Sequence, residues 1–264
     1  MKIVVCVKQV PDTADIKWTE NNTMIREGVE SILNPFDEYA VETAIRIKES
    51  NPDATITVVS MGPPQAKEAL KRAIAMGADE ALLVTDKKFA GADTQATSRT
   101  LAAAIKQKLG DFNLIICGQF AIDGDTAQTG PSIAEHLGLP QVTYVKEVEY
   151  SGGESIVAKR EVEEGIQKVE MKLPGLICML KCDYEPRMPQ IKGVMKANRT
   201  QIPEVNMEEL GLEHAQVGIK GSPTYVSKAF RPQPRVAGEM LNASDPAEAA
   251  KVLIEKLKND KVLV

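Results

Sequence analysis

Short apolar runs alternate with amphipathic segments along the first 150 residues, and this alternation constrains the fold more than any other feature of the chain. Ile3 to Val7 is continuously apolar within residues 2–8, the pattern of a strand covered on both faces. Asn34-Pro35-Phe36-Asp37 then opens a helix. Asn34 is placed to cap it, Pro35 suits the first helical position, and Asp37 stands at capping-box spacing. Ala40, Val41, Ala44, Ile45 and Ile47 form its apolar face. ATITVVSMG reads as a second strand ending at Gly62, and PPQAKEALKRAIAMGAD as a helix started by prolines and stopped at Gly77. EALLVTD and DFNLIICG are third and fourth strands, separated by the helix in GADTQATSRTLAAAIKQKLG. A helix opened through Thr129 and Pro131 and closed at Gly138 leads to a fifth strand, QVTYVKEVEY. The alternation predicts an α/β fold with a doubly wound, mostly parallel sheet. Right-handed crossovers then place the strands' C-terminal ends along one edge, where open sheets of this kind bind ligands.

The pattern changes after residue 150. EYSGGESIVAKREV predicts a β-hairpin extension turning at Ser151-Gly152-Gly153, and QKVEMKLPGLICMLK continues as strand with Pro174 at an edge or bulge. From Asp183 the periodicity is lost, and the segments that follow are rich in proline and basic residues. The expected organisation is an α/β domain over 1–183 and an extended C-terminal arm over 184–264. Ile191, Val194, Met195, Ile202, Val205, Leu210 and Leu212 predict that the arm lies across a partner, because disordered segments are poorer in such residues. A last amphipathic helix, SDPAEAAKVLIEKLKND, has Ser244 or Asp245 as its cap.

Several function classes are disfavoured. A net charge of −5 and 4% aromatic residues argue against a nucleic-acid reader. No run approaches the ~20 apolar residues of a membrane helix, so membrane insertion is not expected and a cytoplasmic location is. Cys6, Cys117 and Cys178 lie in apolar runs and read as small buried hydrophobes. Cys178 and Cys182 lack a nearby histidine or second cysteine pair, so no metal site is expected. His136 and His214 read as surface residues and Trp18 as loop packing. No P-loop, G-x-G-x-x-G fingerprint or nucleophile elbow occurs, and no catalytic side chain is expected.

Two segments carry positive signals. Gly118 to Gly130 follows a strand and leads into a helix. Gly124 permits a tight turn, and Thr126, Gln128 and Thr129 supply donors beside a helix start, where free N–H groups and the dipole favour phosphate. Asp123 and Asp125, flanking that glycine, suit ribose or backbone hydrogen bonding more than acid–base chemistry. An ordinary capped loop uses the same residues, so both readings stay open. In GADTQATS, Thr94 and Thr97 are one turn apart on one face and are placed to hold a second phosphate. Capping by Asp93 or Thr94 is the plainer reading there.

VCVKQVPDT, NPFDEYAVETAIRIKE, VVSMGPPQAKEALKRAIAMGAD, CGQFAIDGDTAQTGPSIAEHLGLP, KREVEEGIQKVEMKLPGLICML and EPRMPQIKGVMKA occur in this order. Through them the chain resembles the beta subunits of electron transfer flavoproteins over nearly its full length, and the run Arg160 to Gly165 followed by Pro174 is the most specific piece. The resemblance implies a Rossmann-like, adenine-nucleotide-binding domain and an alpha-subunit partner in a heterodimer. It implies a pocket formed by Cys6, Asn34, Pro35, Phe36, Asp37, Met61, Gly118, Gln119, Ala121, Ile122, Asp123, Gly124, Asp125, Thr126, Ala127, Gln128 and Thr129. It also implies a dehydrogenase-docking loop from Arg187 to Ala197, with Ile191 where mitochondrial-type members carry an exposed leucine. Ordinary members hold AMP structurally. VKQVPDT, DGDTAQTGP and ADTQATS resemble instead the electron-bifurcating members, in which positions matching Asp93, Thr94 and Thr97 reach an FAD pyrophosphate and Thr126 replaces a cysteine. That likeness implies an FAD taking hydride from NADH. Electrons would pass to ferredoxin or flavodoxin and, through the partner subunit's FAD, to a dehydrogenase of acyl-CoA or lactate type. An ATP-binding regulatory protein resembling the universal stress family shares the open α/β sheet and is the alternative from another class.

Overall fold

The apolar and amphipathic runs become strands and helices in the expected alternation. The structure is a computed structural model describing residues 1–12, 31–228, 238, 240–241 and 245–263, so Trp18 and Ser244 lie outside the described residues. The elements are β1 (Lys2–Cys6), β2 (Gln9–Pro11), β3 (Ser31–Leu33), α1 (Pro35–Ser50), β4 (Thr55–Met61), α2 (Lys67–Met76), β5 (Glu80–Val84), α3 (Thr94–Lys108), β6 (Leu114–Gly118), α4 (Thr129–Leu137), β7 (Gln141–Glu149), β8 (Ser155–Val162), β9 (Gly165–Lys172), β10 (Gly175–Met179), α5 (Ile191–Arg199), β11 (Glu204–Val205), α6 (Gly218–Gly221) and α7 (Pro246–Asn259).

Nine strands form one sheet in the order β11-β5-β4-β1-β6-β10-β7-β8-β9. Pairing is parallel from β11 to β7 and antiparallel from β7 to β9. Alternate residues feed two cores. Ile3, Val5 and Val7 pack with Ala40, Val41 and Ala44 of α1 and Leu70 and Ile74 of α2. Val4 and Cys6 pack with Leu101 and Ile105 of α3 and Ile133 and Ala134 of α4. Helices on both faces make the sheet doubly wound, as the alternation predicts.

The strand order adds what the alternation did not specify, and one expectation is corrected. β10 lies between β6 and β7. GLICM is apolar on both faces and wholly buried, so it takes the interior place. QVTYVKEVE alternates apolar with polar residues and suits a position with one face wet. Pro174 separates β9 from β10 and is not an edge or bulge residue within one strand.

The segment after Asp183 is also more ordered than its proline content suggests. The chain divides into compact units Met1–Ser227 and Lys228–Val264, so the first runs past the boundary expected at Asp183. β11 covers the β5 edge, with Leu83 N–H donating to Pro203 O at 2.9 Å and Thr85 N–H to Val205 O at 2.9 Å. Val205 and Leu210 are buried, and Ile202 and Leu212 pack against the protein's own core. These four apolar residues therefore need no partner to cover them, whereas Ile191, Val194 and Met195 remain exposed. In the second unit Asp245 caps α7, accepting from Ala247 N–H at 3.0 Å. No helix among the described residues is long and apolar enough to cross a membrane.

Candidate functional site

From β1 the parallel strands run to β4 and β5 on one side, and β6 returns on the other. The C-terminal ends of β1 and β6 therefore flank a topological switch point, the crevice such sheets use for ligands. The start of α1 ties these ends together. Asp37 Oδ2 accepts from Lys8 N–H at 2.7 Å, and the same carboxylate accepts from Gly118 N–H. Asn34 Nδ2 donates to Phe120 O at 3.0 Å, while its Oδ1 accepts from Ile122 N–H at 3.2 Å. The Phe36 and Phe120 rings stand 4.2 Å apart between centroids.

The expected capping box is absent for this reason. Neither Asn34 nor Asp37 gives its side chain to the helix. Asp37 N–H and Glu38 N–H bond instead to Asn34 O, and α1 has no side-chain cap. The two polar groups clamp the 118–122 loop. Lys8, which the sequence did not single out, completes the clamp through a 2.6 Å ion pair with the buried carboxylate of Asp123. Its signal was its position, the first polar residue after an apolar strand on the ligand edge. Burial pushes Asp37 up to about 7, while donation from Asn34, Lys8 and Gly118 pulls it down. Asp37 is buried and engaged, so it shapes the crevice from beneath.

Close approach explains two glycines. A Cβ on Gly118 would stand 2.2 Å from Asp37 Oδ1, and one on Gly130 2.5 Å from Cys178 Sγ. The start of α4 thereby sits directly on β6 and β10. Cys6, Cys117 and Cys178 pair in register across β1, β6 and β10 on this face. Contact with Cys117 and then burial push the Cys6 thiol up, so the row packs as neutral thiols. Cys182 belongs to the opposite core and does not join it.

The loop to α4 turns through Ala121, whose carbonyl accepts from Gly124 N–H at 3.2 Å and Asp125 N–H at 2.8 Å. Its left-handed residues are Asp125 (φ 49°) and Ala127 (φ 54°), and the permissive Gly124 is not one of them. Thr126 and Gln128 are exposed and Thr129 partly so, beside a helix start with no side-chain cap. That arrangement leaves first-turn N–H groups for an anion.

The α3 start differs. Asp93 Oδ1 caps Ala96 N–H at 3.0 Å, and Oδ2 accepts from Thr224 N–H at 3.0 Å and Thr224 Oγ at 2.8 Å. Burial would raise this carboxyl, but these donors outweigh it and hold it low. Asp93 is thus engaged within the chain, with Thr94 and Thr97 partly exposed beside it. Met61 ends β4 and packs against the core under α3 and α4. Gln119, buried, accepts from Tyr144 N–H at 2.6 Å and ties the crevice to β7. His136 and His214 are exposed, away from this chemistry. The arrangement offers shape, backbone donors and hydroxyls suited to a phosphorylated ligand.

A family model described as an electron transfer flavoprotein domain matches residues 21–210. The chain belongs to the electron transfer flavoprotein family. It is 46% identical over 271 residues to the electron transfer flavoprotein subunit beta of Megasphaera elsdenii, with 100% of both chains covered. It is 45% identical over 264 residues, again covering 100% of both, to the caffeyl-CoA reductase-Etf complex subunit CarD of Acetobacterium woodii. It is 39% identical over 270 residues, covering 100% of both, to the acryloyl-CoA reductase electron transfer subunit gamma of Anaerotignum propionicum. Family membership implies an association with flavin, and the uncapped α4 start has the donors an anionic group would need.

Proposed function

We propose that this flavoprotein chain is the nucleotide-binding beta subunit of an electron-bifurcating heterodimer. The observation that supports this reading is that α3 and α4 pack side by side and both begin at the ligand edge of one sheet. Two adjacent helix starts suit a pyrophosphate, where one would suffice for a monophosphate. Gly118 to Thr129 would hold one phosphate, and the hydroxyls of Thr94 and Thr97 the other. A bound FAD would supply hydride acceptance from NADH and one-electron transfer to ferredoxin or flavodoxin and to the alpha subunit's FAD. The chain's own residues bind, orient and exclude water. The exposed face of α5 and the segment leading into it, with Ile191 82% and Met188 74% accessible, would dock the dehydrogenase. Relatives named for caffeyl-CoA and acryloyl-CoA reductase favour an acyl-CoA type over a lactate type.

A second reading, structural AMP, is favoured by Asp93, whose carboxylate already serves the α3 cap and Thr224. Acid extraction of the co-purified heterodimer separates the two. About two FAD per heterodimer supports bifurcation, and one FAD plus one AMP overturns it. Thr94→Val with Thr97→Val should lower the flavin count from about two towards one under the first reading and leave it unchanged under the second.

A further inference from the structure

Residues 183–190 form no helix or strand, yet α1 fixes them at every polar contact they make with it. Tyr184 OH meets Thr43 Oγ at 2.7 Å, and Arg46 lies 3.8 Å above the Tyr184 ring. Glu185 accepts from Tyr39 OH at 3.1 Å. Arg187 makes the densest set. Its Nε and one terminal nitrogen reach the two oxygens of Glu42 at 2.7 and 3.0 Å, and its backbone N–H reaches Glu42 at 3.2 Å. The other terminal nitrogen reaches Glu49 at 2.7 Å.

Glu42 is unusual in being charged in the middle of a helix with a side chain only 2% exposed. Packing of α1 gives no reason for it, since Val41, Ala44 and Ile45 already supply the apolar face. A buried carboxylate costs stability unless paired, and its partners are Arg46 and Arg187. Burial would raise this carboxyl, but the hydrogen bonds from Arg187 and Arg46 hold it below the usual glutamate range. A two-pronged guanidinium pair fixes direction as well as distance.

Four residues beyond Arg187 the chain begins α5. That helix is seated a second time, on α2 and its C-terminal end. A Cβ on Gly193 would stand 2.1 Å from Ala75 O, and Lys196 Nζ donates to Ala78 O at 2.8 Å. Held at both places, α5 presents Ile191 and Met195 outward, with Met188 exposed just before it.

We infer that Glu42 is a positioning residue for partner docking: through Arg187 it fixes the approach to α5 so that the apolar row is displayed before any partner arrives. The inference rests on the docking role proposed for α5. Pre-ordering of this kind strengthens binding by removing the entropy of ordering the segment on contact. Loss of the fork therefore acts on partner affinity and leaves electron transfer within the bound complex intact.

The test uses the full heterodimer and an acyl-CoA dehydrogenase purified from the source organism. Glu42→Gln should raise the KM for the dehydrogenase about tenfold, with kcat and nucleotide content unchanged, and should speed amide exchange over 187–199. Arg187→Lys, on the more exposed partner, keeps the charge without the fork and should show a smaller rise. It serves alone if Glu42→Gln does not assemble. Ile191→Ala separates the two layers of reasoning. A higher KM for Ile191→Ala with unchanged KM and exchange in both ion-pair variants overturns the positioning role and leaves docking intact. Unchanged KM in all three overturns the docking reading and the inference with it.

Discussion

Gly118→Ala is the sharpest perturbation of the crevice, because the structure states what the added carbon meets. Its Cβ would lie 2.2 Å from Asp37 Oδ1 and 2.9 Å from both Asp37 N and Phe36 C. Two of those atoms are backbone at the first turn of α1 and cannot swing aside. Restoring ordinary contact displaces the carboxylate by about 1 Å. Asp37 then loses its 2.7 Å bond to Lys8 N–H, and β1 and β6 lose their common tie. Overpacking costs roughly 1–3 kcal/mol and a hydrogen bond to a largely neutral carboxyl about 0.5–1.5 kcal/mol, so the sum is about 2–4 kcal/mol. For a chain of this length that lowers the unfolding midpoint by about 10 °C. Thermal unfolding of the heterodimer measures the shift, and nucleotide retained after gel filtration measures the site. Gly124→Ala is the control for the unfolding midpoint alone, since nothing lies within 4 Å of its would-be Cβ. A midpoint within about 2 °C of wild type and full nucleotide content would refute the account of Asp37 as the tie between strands.

Two further outcomes follow from the same geometry. Asp37, raised by burial to about 7, holds its proton when folded at pH values where the unfolded chain has released it. Stability should therefore fall as pH rises from about 4 to 7, by on the order of 4 kcal/mol from this group. Asp37→Asn should flatten that part of the profile in urea titrations, and an unchanged slope counts against it. Lys192, Lys196 and Arg199 lie along α5 beside its apolar row. Lys192→Glu, or a rise in salt from about 50 to 300 mM, should raise the KM for the dehydrogenase several-fold, and a salt-independent KM would argue for a purely apolar contact.

The sequence disclosed most of the sheet because its strands are short apolar runs bounded by glycine and proline, a local signal. It disclosed the ligand edge for the same reason, since the edge follows from strand direction. Its errors lie where one group serves two elements. Asn34 and Asp37 have the composition and spacing of a helix cap, and only the fold reveals that a loop more than eighty residues away claims them. The position of β10 depends on competition between two strands for one edge, which is decided only when the apolar run of GLICM is set against the alternation of QVTYVKEVE. Periodicity is lost from Asp183, so the pattern does not show where the apolar residues of 200–221 go. They dock singly, at Val205, Met207, Leu210 and Val217, onto a surface already made.

The interior placement of β10 has a consequence for how the chain comes into being. Synthesis delivers β1 to β6 first, and the far edge of β6 then waits bare while the β7–β9 meander is made, because its true neighbour is residues 175–179. An open parallel edge beside a ready supply of other strands is where a nascent chain mispairs. No single cut between β6 and β10 leaves a finished sheet, so one end-to-end join could not have added the hairpin extension to a completed crevice. The crevice exists only once a strand encoded beyond the hairpin has returned to close its floor.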